Sequence, residues 1–456
     1  MIRQPQTRRS QTGPVPSDTP PPDKRRSAAL RHIGKRLPPN ARARLWAWMQ
    51  RPRTLLWGFV ALHLLFLGAM LPTMIDGGTM GDLPLYRRWA MDAIESGSWP
   101  GIDFEWVYPI GALAPIVLPN IFGSALYLTV WFLLLTTVNA ASIWVITDGG
   151  RRAAGFTAAW WWMLILLLLS PVALLRLEGF TAPLVIIAIV LLARRPVVAS
   201  FMLAAATWIK VWPAAVILAA ITAGVRRRAI IVTTALFSLG VAGAVWAAGG
   251  LSFLAGFATM QSDRALQLEA PVATPWLWMA IAGVPKTRVY QNYNIATREV
   301  TGPGDVAAIA VLTPLMLAVV AAIAIFVVWA KQRGADPQRL LLVGALGLTS
   351  AFVVFNKVGS PQYMLWLAPI VAVGLVSSWP HWRAPVLLLT VIATLTTLVF
   401  PIFYLALIDL NPIVAGVLTA RNALLVVLLG WCIRELWIMA RRGRAGAAID
   451  ALDPVA

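Results

Sequence analysis

The chemistry-bearing residues of this chain fall into two groups. "GDLPLYRRWA" sets Asp82 close to Arg87 and Arg88, and "EWVYP" follows with Glu105 and Tyr108. Much later come single cations between apolar runs: Lys210 in "WIKVWP", Arg264 in "SDRALQLEA" and Lys357 in "FNKVGSPQY". A carboxylate held near such cations can take a proton as a general base. The cations can receive an anion, most simply a phosphate. Each residue also has a plainer role. Asp82 precedes the helical-looking "LPLYRRWAMDAIESG" and would cap its N-terminus. Glu105 would be a solvated loop acid, and a lone Lys or Arg near a membrane snorkels to the headgroups. "DFE" at 103–105 has a D-x-E pattern, which is common by chance. With three histidines and no H-E-x-x-H motif, no metal and no other cofactor is expected.

The elements that must position these residues are apolar helices. The 456 residues are 59% hydrophobic and 12% charged, with a mean hydropathy of +0.74, where soluble domains carry about 25% charged residues. Runs such as "WWWMLILLLLSPVALL" are long enough for spanning helices of about 20 residues, and they lack the alternation of a β-barrel. The expected fold is an all-α polytopic membrane protein. The net charge of +19 does not indicate nucleic acid, because Arg151-Arg152, Arg194-Arg195, Arg226-Arg227-Arg228 and Arg441-Arg442 directly follow apolar runs. That is the positive-inside pattern of cytoplasmic loops in a cell (plasma) membrane. Cys432 stands alone, so no disulfide forms within the chain.

The expected organisation begins with a basic, Pro-rich, disordered cytoplasmic tail at 1–53. A membrane domain follows at 54–440, with outer loops at 76–107 and 250–304, and then a cytoplasmic tail at 441–456. Ten full crossings are expected, at 55–75, 121–147, 153–174, 180–195, 229–249, 305–330, 339–355, 362–379, 384–408 and 412–438. The stretch 108–119 is too short and proline-interrupted to cross alone. The segment 196–224 has cytoplasmic charge at both ends and halves of about 14 residues, near 21 Å each. It reads as a helical hairpin with Lys210–Pro213 at its tip. Both termini are then cytoplasmic, and no soluble domain is large enough for a separate enzyme.

On this topology Arg87, Arg88, Arg176, Lys210, Arg264, Lys286, Arg288 and Lys357 run against the positive-inside bias. Ionisable residues within spans are costly and mark a pathway or a site. Among the outer acids, which include Glu178, Asp263, Glu269 and Glu299, Asp82 and Glu105 stand out because each borders a membrane segment.

Four stretches, "GDLPLYRRWA" with "EWVYPIGAL", "LAAATWIKVWPAAVIL", "FATMQSDRALQLEA" and "FNKVGSPQYMLWLAPI", together resemble one family. It is the GT-C class of polytopic glycosyltransferases, and within it family 87, the actinobacterial polyprenyl-phosphate-mannose-dependent α-mannosyltransferases. That family carries an acid after the first helix, then Tyr-Pro-Pro, Lys-x-x-Pro, Arg-x-x-Gln-x-Glu-Ser and Ser-Pro-Gln-Tyr. Here Tyr108-Pro109-Ile110 departs from the second motif and Glu269-Ala270 from the end of the fourth. Gly179-Phe180, preceded by Arg176 and Glu178, stands where the family often has Gly-Gln. The resemblance implies a GT-C-like fold with outer-surface helices and an extracytoplasmic active site. It implies transfer of a sugar, mannose foremost, from a polyprenyl-phosphate donor to a glycolipid or cell-envelope glycan. Asp82 would be the base of a single inverting displacement. Lys210, Arg264, Lys357 and Arg88 would hold the donor phosphate. Gln362 and Tyr363 would orient the donor, and Glu105, Tyr108 and Glu269 would line the substrate site. Trp106, Tyr108 and Trp276 would stack on sugars, although aromatics at a membrane interface are also ordinary belt residues.

A transporter or flippase of a lipid-linked or anionic solute would also place cations within the membrane. Many transporters repeat a broken helix in two halves of the chain, and no counterpart of the 196–224 hairpin is visible in the second half. A membrane scaffold would explain the fold without the misplaced cations. Membrane lipids are expected partners on every reading.

Overall fold

The computed structural model describes residues 39–260, 264–293 and 297–452. The expected N-terminal tail lies, up to residue 38, outside the described residues, as does Asp263. The chain divides into two compact units, 1–48 and 49–456; most of a helix, Pro39–Met49, falls in the first. The second is a bundle of apolar helices. The principal ones are α1 (Pro52–Ile75), α2 (Leu83–Ser96), α3 (Tyr127–Ile146), α4 (Ala153–Leu168), α5 (Glu178–Leu191), α6 (Pro196–Ile209) and α7 (Ala214–Ala223). They continue with α8 (Arg227–Ala247), α9 (Asp305–Gln332), α10 (Pro337–Val354), α11 (Met364–Ser377), α12 (Trp379–Thr397) and α13 (Pro412–Leu452).

Among the described residues, seven helical stretches are long and apolar enough to cross a membrane. They contain α1, α3, α8, α9, α10, α12 and α13. The chain is a helical, membrane-embedded polytopic protein. The other three expected crossings are helices of 14 to 16 residues: α4, α5 and α11. At 1.5 Å per residue, 14 residues reach about 21 Å, against about 30 Å for a hydrocarbon core. Two of these short helices are closely enclosed. In α5 and in α11, eleven of fourteen residues are buried, whereas in the 21-residue α8 only Ile230 and Val245 are. Helix α8 therefore presents a lipid-facing surface, while α5, α11 and the long α10, with fourteen of eighteen residues buried, fill the interior.

One pole of the bundle carries the loop cations. There Arg194 pairs with Asp148 at 3.4 Å, Arg226 Nη2 donates to the Ala193 carbonyl at 2.7 Å, and Arg339 pairs with Glu435 at 2.6 Å. At the other pole α5 and α11 begin, and the α6–α7 hairpin turns at Lys210–Pro213 as expected. Lys210–Trp212 at that turn and Tyr363 and Trp366 by the start of α11 border a recess there. The segment 110–122 is a broken run of short helices and does not cross.

The loops 76–107 and 250–304 roof the recess. The second contains an element the all-α expectation missed, a three-stranded antiparallel sheet in the order β1 (Leu266–Gln267), β3 (Thr297–Thr301), β2 (Arg288–Asn292). The strands are only two to five residues long, too short for periodicity to show. Buried Glu299 secures the hairpin by accepting from the Tyr290 hydroxyl at 2.9 Å and from Asn292 Nδ2 at 3.1 Å. The inner face, with Leu266, Leu268 and Val300, joins a second apolar cluster with Val414 and Leu418 of α13. At the C-terminus α13 runs on helically to Leu452, through the region expected to be a tail.

Candidate active site

The recess holds a cavity of about 360 Å³. Tyr108, Trp212, Phe257, Phe355, Tyr363 and Trp366 supply aromatic wall, and Lys210, Asn356 and Lys357 supply polar groups. Tyr363 stacks on Trp366 at 3.8 Å between ring centroids. Trp212 is fixed by its indole N–H, which donates to Thr181 Oγ1 at 3.1 Å. A mostly apolar cleft with a few convergent polar groups is the usual form of a small-ligand site.

Lys210 is exposed to this cavity because the hairpin breaks there. Its backbone is extended (φ −148°, ψ 134°), which ends α6 and turns the side chain inward. The ammonium lies 3.1 Å from Glu178 Oε1 and 4.4 Å from the centre of the Tyr108 ring. Glu178, at the first position of α5, is fully buried. Its Oε1 also accepts from Trp366 Nε1 at 3.4 Å, and its Oε2 has no hydrogen-bond partner.

Asp82 stands on the far side of Tyr108. Its carboxylate does not cap α2. It pairs instead with Arg176 at 2.6 Å, so the capping role is not the one the side chain takes. The Tyr86 N–H donates to the Asp82 carbonyl at 3.1 Å, and the Tyr86 hydroxyl lies 3.3 Å from the Tyr108 hydroxyl. One chain of contacts therefore runs from Arg176 through Asp82, Tyr86, Tyr108 and Lys210 to Glu178. Burial pushes the Asp82 carboxyl above the ordinary aspartate range, against the opposing pull of Arg176 and Lys210. Asp82 does not itself line the cavity. Its charge environment is shared with the cavity through Lys210 and Glu178.

The opposite wall is built by two long-range loops. The Gln267 N–H donates to the Lys357 carbonyl at 2.9 Å, and Gln267 Oε1 accepts from the Gly359 N–H and the Ser360 hydroxyl, each at 3.1 Å. Gly359 packs so closely that a Cβ there would collide with Ala270 Cα. Strand β1 and the 356–360 loop are thus clamped together, and Lys357 is held at the cavity. Arg264 is half-buried just ahead of β1, within electrostatic range of Tyr363, and its Nε has no hydrogen-bond partner among the described residues.

No protein-family model, curated protein or solved structure matches the chain.

Of the residues singled out in the sequence, Tyr108, Lys210, Lys357 and Tyr363 line the cavity, while Asp82 and Arg264 stand next to it. Gln362 is buried beside Tyr363, with Oε1 unpartnered. Three residues are elsewhere. Arg88 lies on the exposed face of α2, opposite buried Tyr86, Ala90 and Ala93. Glu105 is exposed, its backbone packed near Gly256. Glu269 is buried against Tyr404, and its carbonyl accepts from Arg421 Nη2 at 3.0 Å. Trp106 is buried in an aromatic cluster with Trp89 and Tyr108, and Trp276 donates to the Pro303 carbonyl at 3.1 Å. Arg176 and Glu178 complete the charge network yet were not among the expected site residues. Their signal was two opposite charges in the otherwise apolar "LLRLEGFTAPLV". Among the described residues there is no cluster of metal-ligating side chains.

Proposed function

We propose that the chain is a polyprenyl-phosphate-dependent glycosyltransferase of the GT-C class, similar to family 87. On this reading it moves a sugar, mannose foremost, onto a glycolipid or cell-envelope glycan on the extracytoplasmic side of the plasma membrane. One observation carries it: two lysines on an aromatic cavity, with a carboxylate joined to the same charge network. Asp82 and Glu178 balance Arg176 and Lys210. Lys357 on the cavity wall and Arg264 beside it are further cations, which suits a phosphodiester. A recess below the headgroup level is where the phosphate of a lipid-carried donor would lie, its prenyl chain against apolar helix faces.

In the reaction the acceptor oxygen forms a bond to the anomeric carbon as the bond from that carbon to the phosphate oxygen breaks. Asp82 takes the acceptor's proton, and polyprenyl phosphate leaves with the bond's electron pair. Lys210, Lys357 and Arg264 stabilise the charge growing on that oxygen. Tyr363, backed by Trp366, offers a flat face for the sugar. The ion pair with Arg176 aims the carboxylate, while burial raises its proton affinity.

The test uses purified protein in lipid vesicles with radiolabelled polyprenyl-phosphate-mannose and a panel of acceptors. The expected result is labelled acceptor with inverted anomeric configuration. The broken hairpin at Lys210 favours one other reading, transport of an anionic lipid-linked solute. No transfer to any acceptor, together with movement of the labelled donor across the vesicle, would establish transport and sink the transferase.

A further inference from the structure

A second cavity, of about 390 Å³, opens at the opposite pole of the bundle. It lies between Ile221 and Thr222 at the end of α7, Arg227 at the start of α8, and Val328, Lys331 and Gln332 at the end of α9. Its two cations are placed by local structure. Lys331 folds across Gly224, whose left-handed backbone (φ +78°) carries no Cβ; a Cβ there would collide with the ammonium. The ammonium is thus held at the C-terminal end of α7, where the helix's partial negative charge favours it. Arg226 is committed to the Ala193 carbonyl, and Arg227 is the next side chain, at the cavity wall.

Among the described residues, no acid forms an ion pair with Lys331 or Arg227. Among the described residues, the acids of this pole are engaged elsewhere: Asp148 with Arg194, Asp336 with the Arg339 N–H, and Glu435 with Arg339 and Arg434. A second observation fixes the height of the cavity. Arg333 stacks over Trp329 at 4.2 Å, Arg441 over Trp437 at 4.9 Å, and the two indoles lie 5.7 Å apart. Such Trp and Arg pairs belong at headgroup level, and Trp329 precedes Lys331 by two residues. Ile221 and Val328 form apolar wall below the charges. Charge above and apolar surface below match a phospholipid, and basic pockets between membrane helices bind such headgroups.

We propose that this cavity binds the phosphate headgroup of an anionic membrane phospholipid. Lys331 and Arg227 contact the phosphate, the Gln332 amide lies at the rim, and the acyl chains run over Ile221 and Val328. The bound lipid ties α7, α8 and α9 together at the foot of the hairpin whose tip carries Lys210. The inference is independent of the transferase reading, because α7 separates the two cavities by about 15 Å of helix.

The test measures lipid binding by native mass spectrometry and thermal unfolding of the full chain in neutral detergent. The probes are phosphatidylglycerol, phosphatidylcholine and inorganic phosphate. Phosphatidylglycerol is expected to bind and raise Tm, and phosphatidylcholine is not. Arg227→Gln and Lys331→Gln each weaken binding about fivefold, and the double variant about 25-fold. Both side chains are exposed, so the variants keep the wild-type Tm in detergent alone. A control removing two other cations at this pole, Arg151→Gln/Arg152→Gln, leaves the affinity unchanged. Equal weakening by both double variants would mean general surface charge and overturn the site. Equal protection by phosphatidylcholine would also overturn it. Protection by inorganic phosphate as strong as by phosphatidylglycerol would replace the lipid with a soluble anion and overturn the lipid assignment.

Discussion

Arg194 and Asp148 form an ion pair at 3.4 Å at one pole of the bundle, and Lys210 and Glu178 form one at 3.1 Å near the other. The first is in solvent, its arginine 68% exposed; in the second, the glutamate is 0% and the lysine 14% exposed. Chemically the pairs are near equivalents. Physically they differ, because an exposed pair is screened and contributes about 0–1 kcal/mol. A buried pair has lost its hydration, and its mutual attraction roughly repays that loss. Removing one partner of a buried pair strands the other. The fold therefore gains little net stability from Lys210–Glu178 but cannot give up half of it. Such a pair is kept for what it holds in place, which here is an ammonium facing a cavity.

The comparison can be broken most severely at Asp82. Under the proposed chemistry Asp82→Asn lowers transfer by about 10²–10⁴-fold, with the donor KM little changed, as measured in the vesicle assay. Unchanged turnover would move the base elsewhere. Next comes the buried pair itself. Glu178→Gln or Lys210→Met alone destabilises the protein by about 3–5 kcal/mol, while Glu178→Gln/Lys210→Met together recovers most of that in denaturant unfolding. If the double variant is as unstable as the sum of the singles, the two charges are not coupled. Lys357→Gln follows, with transfer reduced by about 10²-fold and little change in unfolding midpoint.

A smaller effect is the pH dependence. The Asp82 carboxyl is raised, so the acid limb of kcat/KM lies above the ordinary aspartate range. Arg176→Gln removes an opposing pull and shifts that limb further up. The sign for stability follows: the folded state holds this proton more tightly than the unfolded chain. Stability from this group is then greatest at low pH and declines as pH rises through the raised pKa. A limb shifting down in Arg176→Gln would contradict the pairing. Smallest of all is Arg194→Gln at the solvent pole, with a change within about 0.5 kcal/mol. A larger loss there would erase the distinction between the poles.

Much of this was readable from residue order. Lys210 and Lys357 are legible because a lone cation where an apolar run breaks has few placements other than a site. The hairpin is legible from its length. Arg88 shows the opposite: it belongs to the exposed side of a helix whose buried stripe is Leu83, Tyr86, Ala90 and Ala93. That spacing was present in the sequence and outweighs the charge argument. Glu178 was hidden because α5 is enclosed on all sides, so no amphipathic pattern marks which face meets the cavity. The partners of Glu269 are distant in sequence, Arg421 lying 152 residues away, and nothing local predicts that meeting. Gln267 was passed over for the same reason, since its clamp on 357–360 forms only in the folded chain.

The short interior helices bear on how the protein enters its membrane. A 14-residue helix headed by a glutamate, and another of the same length ending at a lysine, are each poor candidates for insertion singly. Ions at mid-membrane cost roughly 2.5–3.5 kcal/mol each on insertion scales. Glu178 and Lys210 belong to consecutive helices, α5 and α6, joined by a short link at 192–195. Inserted as a pair, the two helices would carry opposite charges that neutralise each other. The order of helices in the chain thus puts each buried charge within one short link of the segment that carries its counterion.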